Sequence, residues 1–276
     1  MRAALLQMTS GIDPTANADR IARAVADAAL GGADILFTPE MVGYLDRDRQ
    51  RAAATLRSEA DDIVLARIRE EAARHGLWVH LGSLGLRDER SDGRWVNRSF
   101  VIDSSGAIRA RYDKVHLFDV DLPSGESWRE SAVYGPGEAV VAVDTPWARF
   151  GLTICYDLRF PDLYRALSDA GATVLLVPAA FTIPTGKAHW HTLLRARAIE
   201  AGAFVIAPAQ VGRHEDGRET YGHSLVIDPW GDVLLDMDSA PDLAFAEIDL
   251  ARVDDVRARI PVLAHRRALP DPVILS

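Results

Sequence analysis

The segment Phe150-Gly-Leu-Thr-Ile-Cys-Tyr-Asp-Leu-Arg-Phe-Pro161 decides the fold of this chain. It begins as a short apolar run, reaches Cys155, turns polar at once and meets Pro161 ahead of an amphipathic stretch. This order predicts a buried strand, a sharp turn and the start of a helix. α/β folds usually keep their ligand sites at such strand ends, and a nearby helix N-terminus favours a thiolate. Cys155 is therefore either a nucleophile or a packed, inert thiol.

The composition excludes several classes of protein. The chain has 276 residues, is 48% hydrophobic and carries a formal net charge of -9, which favours one large α/β domain or two small ones. The acidic balance argues against nucleic-acid and membrane partners, and no apolar run approaches the roughly 18 residues of a membrane span. A single cysteine cannot form an internal disulfide. We interpret residues 1–8 as the first strand of a cytoplasmic protein, because their apolar run is too short for a signal peptide.

The two halves of the sequence resemble each other. The stretch Gly32-Ala-Asp-Ile-Leu-Phe-Thr-Pro-Glu40 resembles Gly171-Ala-Thr-Val-Leu-Leu-Val-Pro-Ala179, and Ser99-Phe-Val-Ile-Asp-Ser-Ser-Gly106 resembles Ser224-Leu-Val-Ile-Asp-Pro-Trp-Gly231. Each half follows the order strand, helix, strand, helix, strand, hairpin. The pattern predicts two copies of one βαβ-containing unit, forming two sheets packed face to face with helices outside. Chance similarity of short β motifs is the alternative.

The chemistry, unlike the fold, is not repeated. Glu40 stands where the second half has Ala179, and Cys155 stands where the first half has Met8 and Thr9. If the halves pair about a pseudo-twofold axis, these strand ends can converge on one site. Lys114 directly follows the predicted hairpin of residues 95–112 and opens a long connection, residues 114–136, which we expect to form a wall of the site.

A cysteine nucleophile needs a group that takes and returns protons and a donor for the developing oxyanion. Glu40 and Lys114 fit these roles, and the backbone N–H of Tyr156 could be a second oxyanion donor. The competing interpretations are a solvated carboxylate, a solvated ammonium and an inert thiol.

Other catalytic and cofactor motifs are missing from the sequence. It has no Gly-x-Ser-x-Gly elbow and no phosphate-binding loop. The pair His189 and His191 lacks a second cluster with ligand spacing, so we expect no metal and no cofactor. We expect Trp128, Trp190 and Trp230 to serve in packing, because the basic residues that would hold phosphates beside them are missing.

Four blocks of the sequence together resemble the nitrilase superfamily of carbon-nitrogen hydrolases. They are Phe37-Thr-Pro-Glu40, Tyr112-Asp-Lys-Val-His-Leu-Phe-Asp119, Gly151-Leu-Thr-Ile-Cys-Tyr-Asp-Leu-Arg-Phe-Pro161, and His189-Trp190 with Leu194-Arg-Ala-Arg-Ala-Ile-Glu200. The resemblance implies an α/β fold, a four-layer α-β-β-α sandwich of two mixed sheets with an internal pseudo-twofold repeat. It also implies catalytic residues; these are Glu40, Lys114, Cys155 and Glu130. The expected oxyanion and substrate-binding residues are Tyr156, Phe181, Thr182 and His189.

Within the superfamily, the chain looks closest to the omega-amidase and deaminated glutathione amidase branch. The implied function is hydrolysis of a small carboxylic amide to acid and ammonia through a cysteine thioester. An N-carbamoyl hydrolase or a nitrilase with the same triad is one alternative, and a non-catalytic binding module is another. Relatives often have glutamate where this chain has His191, which we expect to bear on substrate choice.

The resemblance also implies an organisation for the chain. We expect residues 1–250 to form a single carbon-nitrogen hydrolase domain and residues 251–276 to form a C-terminal helix and tail. Relatives commonly pair as homodimers or larger homo-oligomers, and the apolar end of the tail could pack across such a dimer.

Overall fold

The computed structural model describes residues 1–88, 93–121, 125 and 127–275. The strands are β1 (Arg2–Gln7), β2 (Ile35–Phe37), β3 (Trp78–Arg87), β4 (Trp95–Ile102), β5 (Ile108–Asp113), β6 (Asp119–Asp121), β7 (Ser127–Arg129), β8 (Ala142–Asp144), β9 (Arg149–Leu152), β10 (Val174–Leu176), β11 (Phe204–Ala207), β12 (Val211–Arg213), β13 (Glu219–Tyr221), β14 (Leu225–Ile227), β15 (Val233–Asp236) and β16 (Asp242–Glu247). The α-helices are α1 (Pro14–Leu30), α2 (Arg49–Thr55), α3 (Ile63–His75), α4 (Pro161–Asp169), α5 (Ile183–Ala201) and α6 (Ala251–Arg259). Short 3₁₀ helices cover Glu59–Asp61, Glu130–Ala132 and Cys155–Arg159.

Twelve of the described strands form two six-stranded mixed sheets with the same internal order, and the other four form the two-stranded ribbons β6-β7 and β12-β13. The first runs β16-β1-β2-β3-β4-β5 and the second runs β8-β9-β10-β11-β14-β15. Three strands of each sheet are parallel to one another: β1, β2 and β3 in the first, and β9, β10 and β11 in the second. The hairpin that follows, β4–β5 or β14–β15, adds two antiparallel strands. The predicted pair of mixed sheets and the repeat are therefore confirmed. The two sheets differ in the edge strand that pairs with β1 or β9. In the second sheet this strand is β8, which directly precedes β9, whereas in the first it is β16, which lies near the other end of the chain from β1.

The two sheets pack face to face. Residues Leu5 and Phe37 of the first sheet share one buried cluster with Phe150 and Val205 of the second. The rings of Phe37 and Phe150 lie 6.0 Å apart across this interface. Outside the first sheet, α1 and α3 bury a second apolar cluster against its other face. Because α4 and α5 cover the second sheet, the predicted four-layer α-β-β-α sandwich is confirmed.

Local sequence signals explain where the helices begin and end. Asp13 caps α1 by accepting a hydrogen bond from the Thr15 N–H, and Pro14 occupies the first helical turn. The charged segment that precedes Gly76 is divided near Ser58 into α2, a 3₁₀ turn and α3. Gly76 ends α3 with a φ of 62°, a left-handed conformation that glycine adopts without a steric penalty.

The C-terminal helix packs on the second half. Val253 and Val256 of α6 are buried, and the Arg257 guanidinium donates to the carbonyl oxygens of Gly202 and Ala172. Arg266 of the following tail donates to the Ser168 hydroxyl on α4. None of the described helices is long and apolar enough to cross a membrane. Packing of the tail across a dimer stays a prediction.

Candidate active site

The carboxyl ends of three strands bring Glu40, Lys114 and Cys155 together. Glu40 follows β2, Lys114 follows β5 and Cys155 follows β9. All three are buried, with exposed fractions of 4%, 2% and 7%. Glu130, at the start of a 3₁₀ turn in the long connection, completes what we call the polar cluster. These residues come from both halves of the repeat, as the asymmetry of the sequence predicted.

Lys114 links the two carboxylates of the polar cluster. Its ammonium donates to Oε1 of Glu40 at 2.9 Å and to Oε1 and Oε2 of Glu130 at 3.1 and 2.9 Å. The other Glu40 oxygen accepts the Ala180 N–H at 2.9 Å. Since buried charges are costly unless they are paired, the contacts of Lys114 with both carboxyl groups offset the cost of burying its ammonium.

The electrostatics of the cluster hold the thiol neutral before substrate arrives. Burial raises the pKa of the Cys155 thiol well above its usual range; the negative charge of Glu40 raises it further, and Lys114 opposes both. Burial acts to lower the pKa of Lys114, but the carboxylates of Glu130 and Glu40 outweigh it and hold that pKa well above its ordinary value. Lys114 therefore stays cationic, and a proton must leave Cys155 before its sulfur can attack.

The backbone at Cys155 is strained. Cys155 adopts a φ of 49° and Met41, which follows Glu40, a φ of 56°, both in the left-handed region that residues with a side chain seldom occupy. Cys155 opens the 3₁₀ helix Cys155–Arg159, and α4 begins only at Pro161, so the sharp turn is longer than the sequence suggested. The Tyr156 N–H lies in the first turn of that 3₁₀ helix, where helical geometry supplies no acceptor.

Asp157 holds this turn in place, a role the sequence did not assign. Its carboxylate is fully buried and accepts hydrogen bonds from the Ile154 N–H at 2.9 Å, the Tyr112 hydroxyl at 2.7 Å and the His116 N–H at 3.0 Å. Two of these donors lie on the segment around Lys114. Asp157 therefore fixes the position of the turn that carries Cys155 relative to Lys114.

Asn97 on β4 is the second residue that sequence reasoning missed. Its Nδ2 donates to Oε1 of Glu40 at 2.9 Å and to Oε1 of Glu130 at 3.4 Å. Only 2% of Asn97 is exposed. A polar residue at an inward position of an apolar strand was the available signal, because a buried amide needs a partner.

We expect Asn97→Ala to lower kcat/KM by about 10- to 100-fold, because one hydrogen bond to Glu40 would be lost. Asn97→Asp should cost more than Asn97→Ala, since a third carboxylate would stand beside Glu40 and Glu130. Steady-state amide hydrolysis, with a thermal melt for each variant, measures both. Ser99→Ala is the matched control, because Ser99 is buried on the same strand but bonds His80 instead, at 2.9 Å. Equal kcat/KM losses in the Asn97 and Ser99 variants would contradict a positioning role.

A cavity of about 380 Å³ opens onto the polar cluster. Three of the four predicted substrate-binding residues line it: Tyr156, Phe181 and Thr182. His189 does not, because it lies on the exposed face of α5, where it contacts the Arg159 guanidinium at 3.3 Å; the structure therefore does not bring it to the cavity. The expected wall is present, since residues 118, 128, 130 and 134 line the cavity, while positions 122–124 and 126 lie outside the described residues.

The cavity carries more positive charge than the sequence indicated. Outside the polar cluster, its described lining has five arginines against two carboxylates: Arg47, Arg49, Arg129, Arg159 and Arg218 against Asp46 and Glu219. The arginines come from four separate segments, so no local sequence motif predicts that they share one cavity. The expectation that Trp128 serves in packing is wrong. Its ring lies in the cavity lining, in contact with the guanidiniums of Arg47 and Arg218.

His191 lies outside the cavity lining, so our expectation that it bears on substrate choice finds no support in its position. Its Nε2 is 3.0 Å from Oδ2 of Asp236, whose Oδ1 is 2.9 Å from Nδ1 of His223. The ligand atoms of these three residues lie within 4.8 Å of one another. The fold therefore brings two further possible metal ligands, His223 and Asp236, close to His191. Asp236, however, is already hydrogen-bonded to both imidazoles.

Comparisons with known proteins agree with this geometry. A family model described as carbon-nitrogen hydrolase matches residues 2–258. The deaminated glutathione amidase of Synechocystis sp. is 42% identical over 267 residues, covering 96% of this chain and 97% of that protein. The nitrilase and fragile histidine triad fusion protein NitFhit of Caenorhabditis elegans is 41% identical over 266 residues, covering 96% of this chain, which spans only 60% of the fusion protein's length.

Solved structures show the same fold. The crystal structure of C. elegans NitFhit matches with a TM-score of 0.89 at 40% identity, covering 96% of this chain and 65% of that one. An amidase from Nesterenkonia sp. AN1 matches with a TM-score of 0.78 at 28% identity, covering 95% of this chain and 98% of that one. That structure, of a Glu-to-Gln mutant, contains the product of Michael addition of acrylamide at the active site cysteine.

Proposed function

This chain belongs to the carbon-nitrogen hydrolase family and acts on amides, and from that premise we propose that Cys155, Glu40, Lys114 and Glu130 carry the reaction. The observation that supports this assignment most strongly is the buried cluster of Cys155, Glu40 and Lys114, in which the ammonium of Lys114 contacts both Glu40 and Glu130. A thiol, a carboxylate and a cation are thereby collected at one place, which is the arrangement that covalent catalysis at a carbonyl requires.

In the proposed acylation step, Glu40 removes the thiol proton of Cys155 as the sulfur attacks the amide carbon. Lys114 and the Tyr156 N–H hold the negative charge that develops on the carbonyl oxygen. Glu40 then gives its proton to the amide nitrogen, the C–N bond breaks, and an amine or ammonia leaves. The acyl group remains on sulfur as a thioester.

In the proposed deacylation step, the same carboxylate works on water. Glu40 takes a proton from a water molecule as its oxygen attacks the thioester carbon, and the C–S bond breaks. The sulfur recovers the proton from Glu40, and the carboxylic acid leaves. Glu130 keeps Lys114 in position throughout, because it supplies two of the three hydrogen bonds that fix the ammonium.

The proposed substrates are amides of 2-oxo acids, including the deaminated glutathione type and simple omega-amides. The names of the relatives and the excess of arginine in the cavity support this class. Arg159 is suited to the carboxylate of the acyl group, because its guanidinium contacts the rings of Tyr156 and Phe181 close to the nucleophile, at 5.9 and 5.5 Å. A substrate of the deaminated glutathione type releases an amine, whereas a simple omega-amide releases ammonia.

A substrate panel tests this proposal. Amides of 2-oxo acids, N-carbamoyl amino acids and nitriles are compared, with release of amine, ammonia and carbon dioxide measured. The proposal predicts turnover of the 2-oxo acid amides without carbon dioxide. Preferential carbon dioxide release would favour a carbamoyl hydrolase, and the absence of turnover on the whole panel would favour a binding module.

We also propose that the chain forms a cytoplasmic homodimer in which the tail packs across the partner. A free, functional thiol suits a reducing compartment. Leu269, Val273, Ile274 and Leu275 of the tail are 82 to 92% exposed, and burying such side chains contributes about 1.5 to 3 kcal/mol each.

Truncation after Ile260 should therefore shift the sedimentation coefficient toward that of a monomer. The control is Leu30→Ser, which changes an apolar side chain that is equally exposed, at 86%, on another face. An unchanged sedimentation coefficient in the truncated form would count against the tail as a dimer element.

A further inference from the structure

Three side chains of the kinds that bind metals meet where α5 covers the second sheet. His191 lies on α5, His223 lies between β13 and β14, and Asp236 is the last residue of β15. Nε2 of His191 is 3.0 Å from Oδ2 of Asp236, and Nδ1 of His223 is 2.9 Å from Oδ1 of the same carboxylate. The described lining of the active-site cavity includes none of the three. We call them the His–Asp–His cluster.

The spacing of the His–Asp–His cluster is close to that of a zinc site. One ligand atom of each residue lies within 4.8 Å of those of the other two. Two ligands of a tetrahedral Zn²⁺ that are each about 2.05 Å from the metal are about 3.3 Å apart. The two nitrogen–oxygen separations are a few tenths of an Å shorter than that value. Small rotations of the side chains would therefore make room for an ion between them.

Hydrogen bonds from outside the cluster hold two of its members in place. The His223 backbone N–H donates to the Asp238 carbonyl oxygen at 2.7 Å, and the His223 carbonyl oxygen accepts the indole N–H of the buried Trp190 at 2.8 Å. The Asp236 carboxylate also accepts the Asp238 N–H at 2.9 Å. The Tyr221 ring stacks on the His223 ring with their centroids 4.4 Å apart. Outer contacts of this kind orient metal ligands before the ion arrives.

The chemistry of the donor atoms favours a transition metal. Imidazole nitrogen suits Zn²⁺, Ni²⁺ and Cu²⁺, whereas Mg²⁺ and Ca²⁺ take oxygen ligands. The three side chains are 21 to 34% exposed, so an ion can enter from solvent and keep water as a further ligand. Each neutral imidazole would turn a lone pair to the ion and keep its proton on the other ring nitrogen. Coordination would thereby replace the two hydrogen bonds to Asp236.

We propose that the His–Asp–His cluster binds one divalent transition metal ion, such as Zn²⁺, and that the ion links α5 to the hairpin of β14 and β15. The sequence-based expectation of no metal considered spacing along the chain, whereas these ligands are 13 to 45 positions apart and are brought together by the fold. Because the ion binds the folded chain through separate elements, it should raise thermal stability. It is separate from the chemistry at Cys155.

Titration of the untagged protein with Zn²⁺ alone, followed by calorimetry and thermal melts, tests the proposal. The wild type should bind one equivalent, and Zn²⁺ at about 100 times its Kd should raise Tm by about 4 °C or more. His191→Gln and Asp236→Asn should each lower the affinity by about 100-fold or more, since a lost ligand costs more than a lost outer contact. His223→Asn should do the same, and asparagine tolerates the left-handed φ of 53° at this position.

His189→Gln is the matched control, because His189 is exposed on the same helix and contacts Arg159 instead of the cluster. Its Zn²⁺ affinity should equal that of the wild type, as should the affinity of Cys155→Ala, which removes the single thiol of the chain.

A wild type that shows neither heat of binding nor a shift in Tm would overturn the proposal, and this result does not depend on the folding of any variant. Unchanged affinity in His191→Gln and Asp236→Asn, each shown to be folded by a melt without metal, would also overturn it. Loss of binding in Cys155→Ala would place the ion at the thiol and would contradict the proposal as well.

Discussion

Cys155→Ala should lower amide hydrolysis by about 10⁴-fold or more, because the acyl group would have no atom to bond to. The fold should survive the change. Alanine carries the same Cβ as cysteine, so the left-handed backbone at this position is no more strained than before. Product release together with a thermal melt measures the two expectations separately.

A second route to the same result uses the wild type. Cys155 is the only cysteine in the chain, so one equivalent of iodoacetamide should modify one site and remove the activity. Substrate present during alkylation should protect the thiol. Retention of more than about a tenth of wild-type turnover by a folded Cys155→Ala variant would exclude the cysteine as nucleophile.

Glu40→Gln should lower kcat/KM by about 10² to 10⁴-fold, since the amide side chain cannot take the proton from sulfur or from water. The thiol should respond in the opposite direction. The charge of Glu40 raises the pKa of Cys155, so its removal lowers that pKa while Lys114 remains to stabilise the thiolate. The midpoint of the pH profile for alkylation should therefore move to lower pH in the variant that has lost hydrolysis.

The matched control for Glu40 is Glu138→Gln, which neutralises an exposed glutamate. It should change neither the hydrolysis rate nor the alkylation midpoint. An alkylation midpoint that moves to higher pH in Glu40→Gln would contradict the assigned electrostatics. Full hydrolytic activity in that variant would contradict its role as the base.

The repeat in the sequence predicted most of the fold because it is written in short, local patterns. The stretches that became β2 and β10, each followed by a proline, are similar enough to be matched by eye, and Gly106 and Gly231 mark the turns of the two hairpins. The origin of β16 was beyond such reasoning, since a strand's neighbour in a sheet is decided by packing across the whole domain. The same limit applies to α6, which is attached to the second half through Arg257.

The residues of the site likewise fall into those that the sequence predicted and those that it did not. Glu40 and Cys155 could be found because each breaks the repeat at the end of a strand, and the family resemblance supplied Lys114 and Glu130. Asn97 and Asp157 have no distinctive neighbours in the sequence; their roles depend on groups 33 to 57 positions away.

The side of a helix on which a residue lies was also hard to predict from the sequence. His189 and Trp190 are adjacent in the sequence, but successive helical positions differ by about 100°, so Trp190 is buried and His189 is exposed. The arginines of the cavity come from four segments, and only the closed fold places them around one space.

The central claim is that an acyl group passes through sulfur on its way from the amide to water. Hydroxylamine competes with water for such an intermediate, so the ratio of hydroxamate to acid reports on the species that is being attacked. Two amides with the same acyl group and different leaving amines should give the same ratio at each hydroxylamine concentration, because both pass through one Cys155 thioester. A ratio that changes with the leaving amine would show that the amide is attacked directly, and would contradict this account.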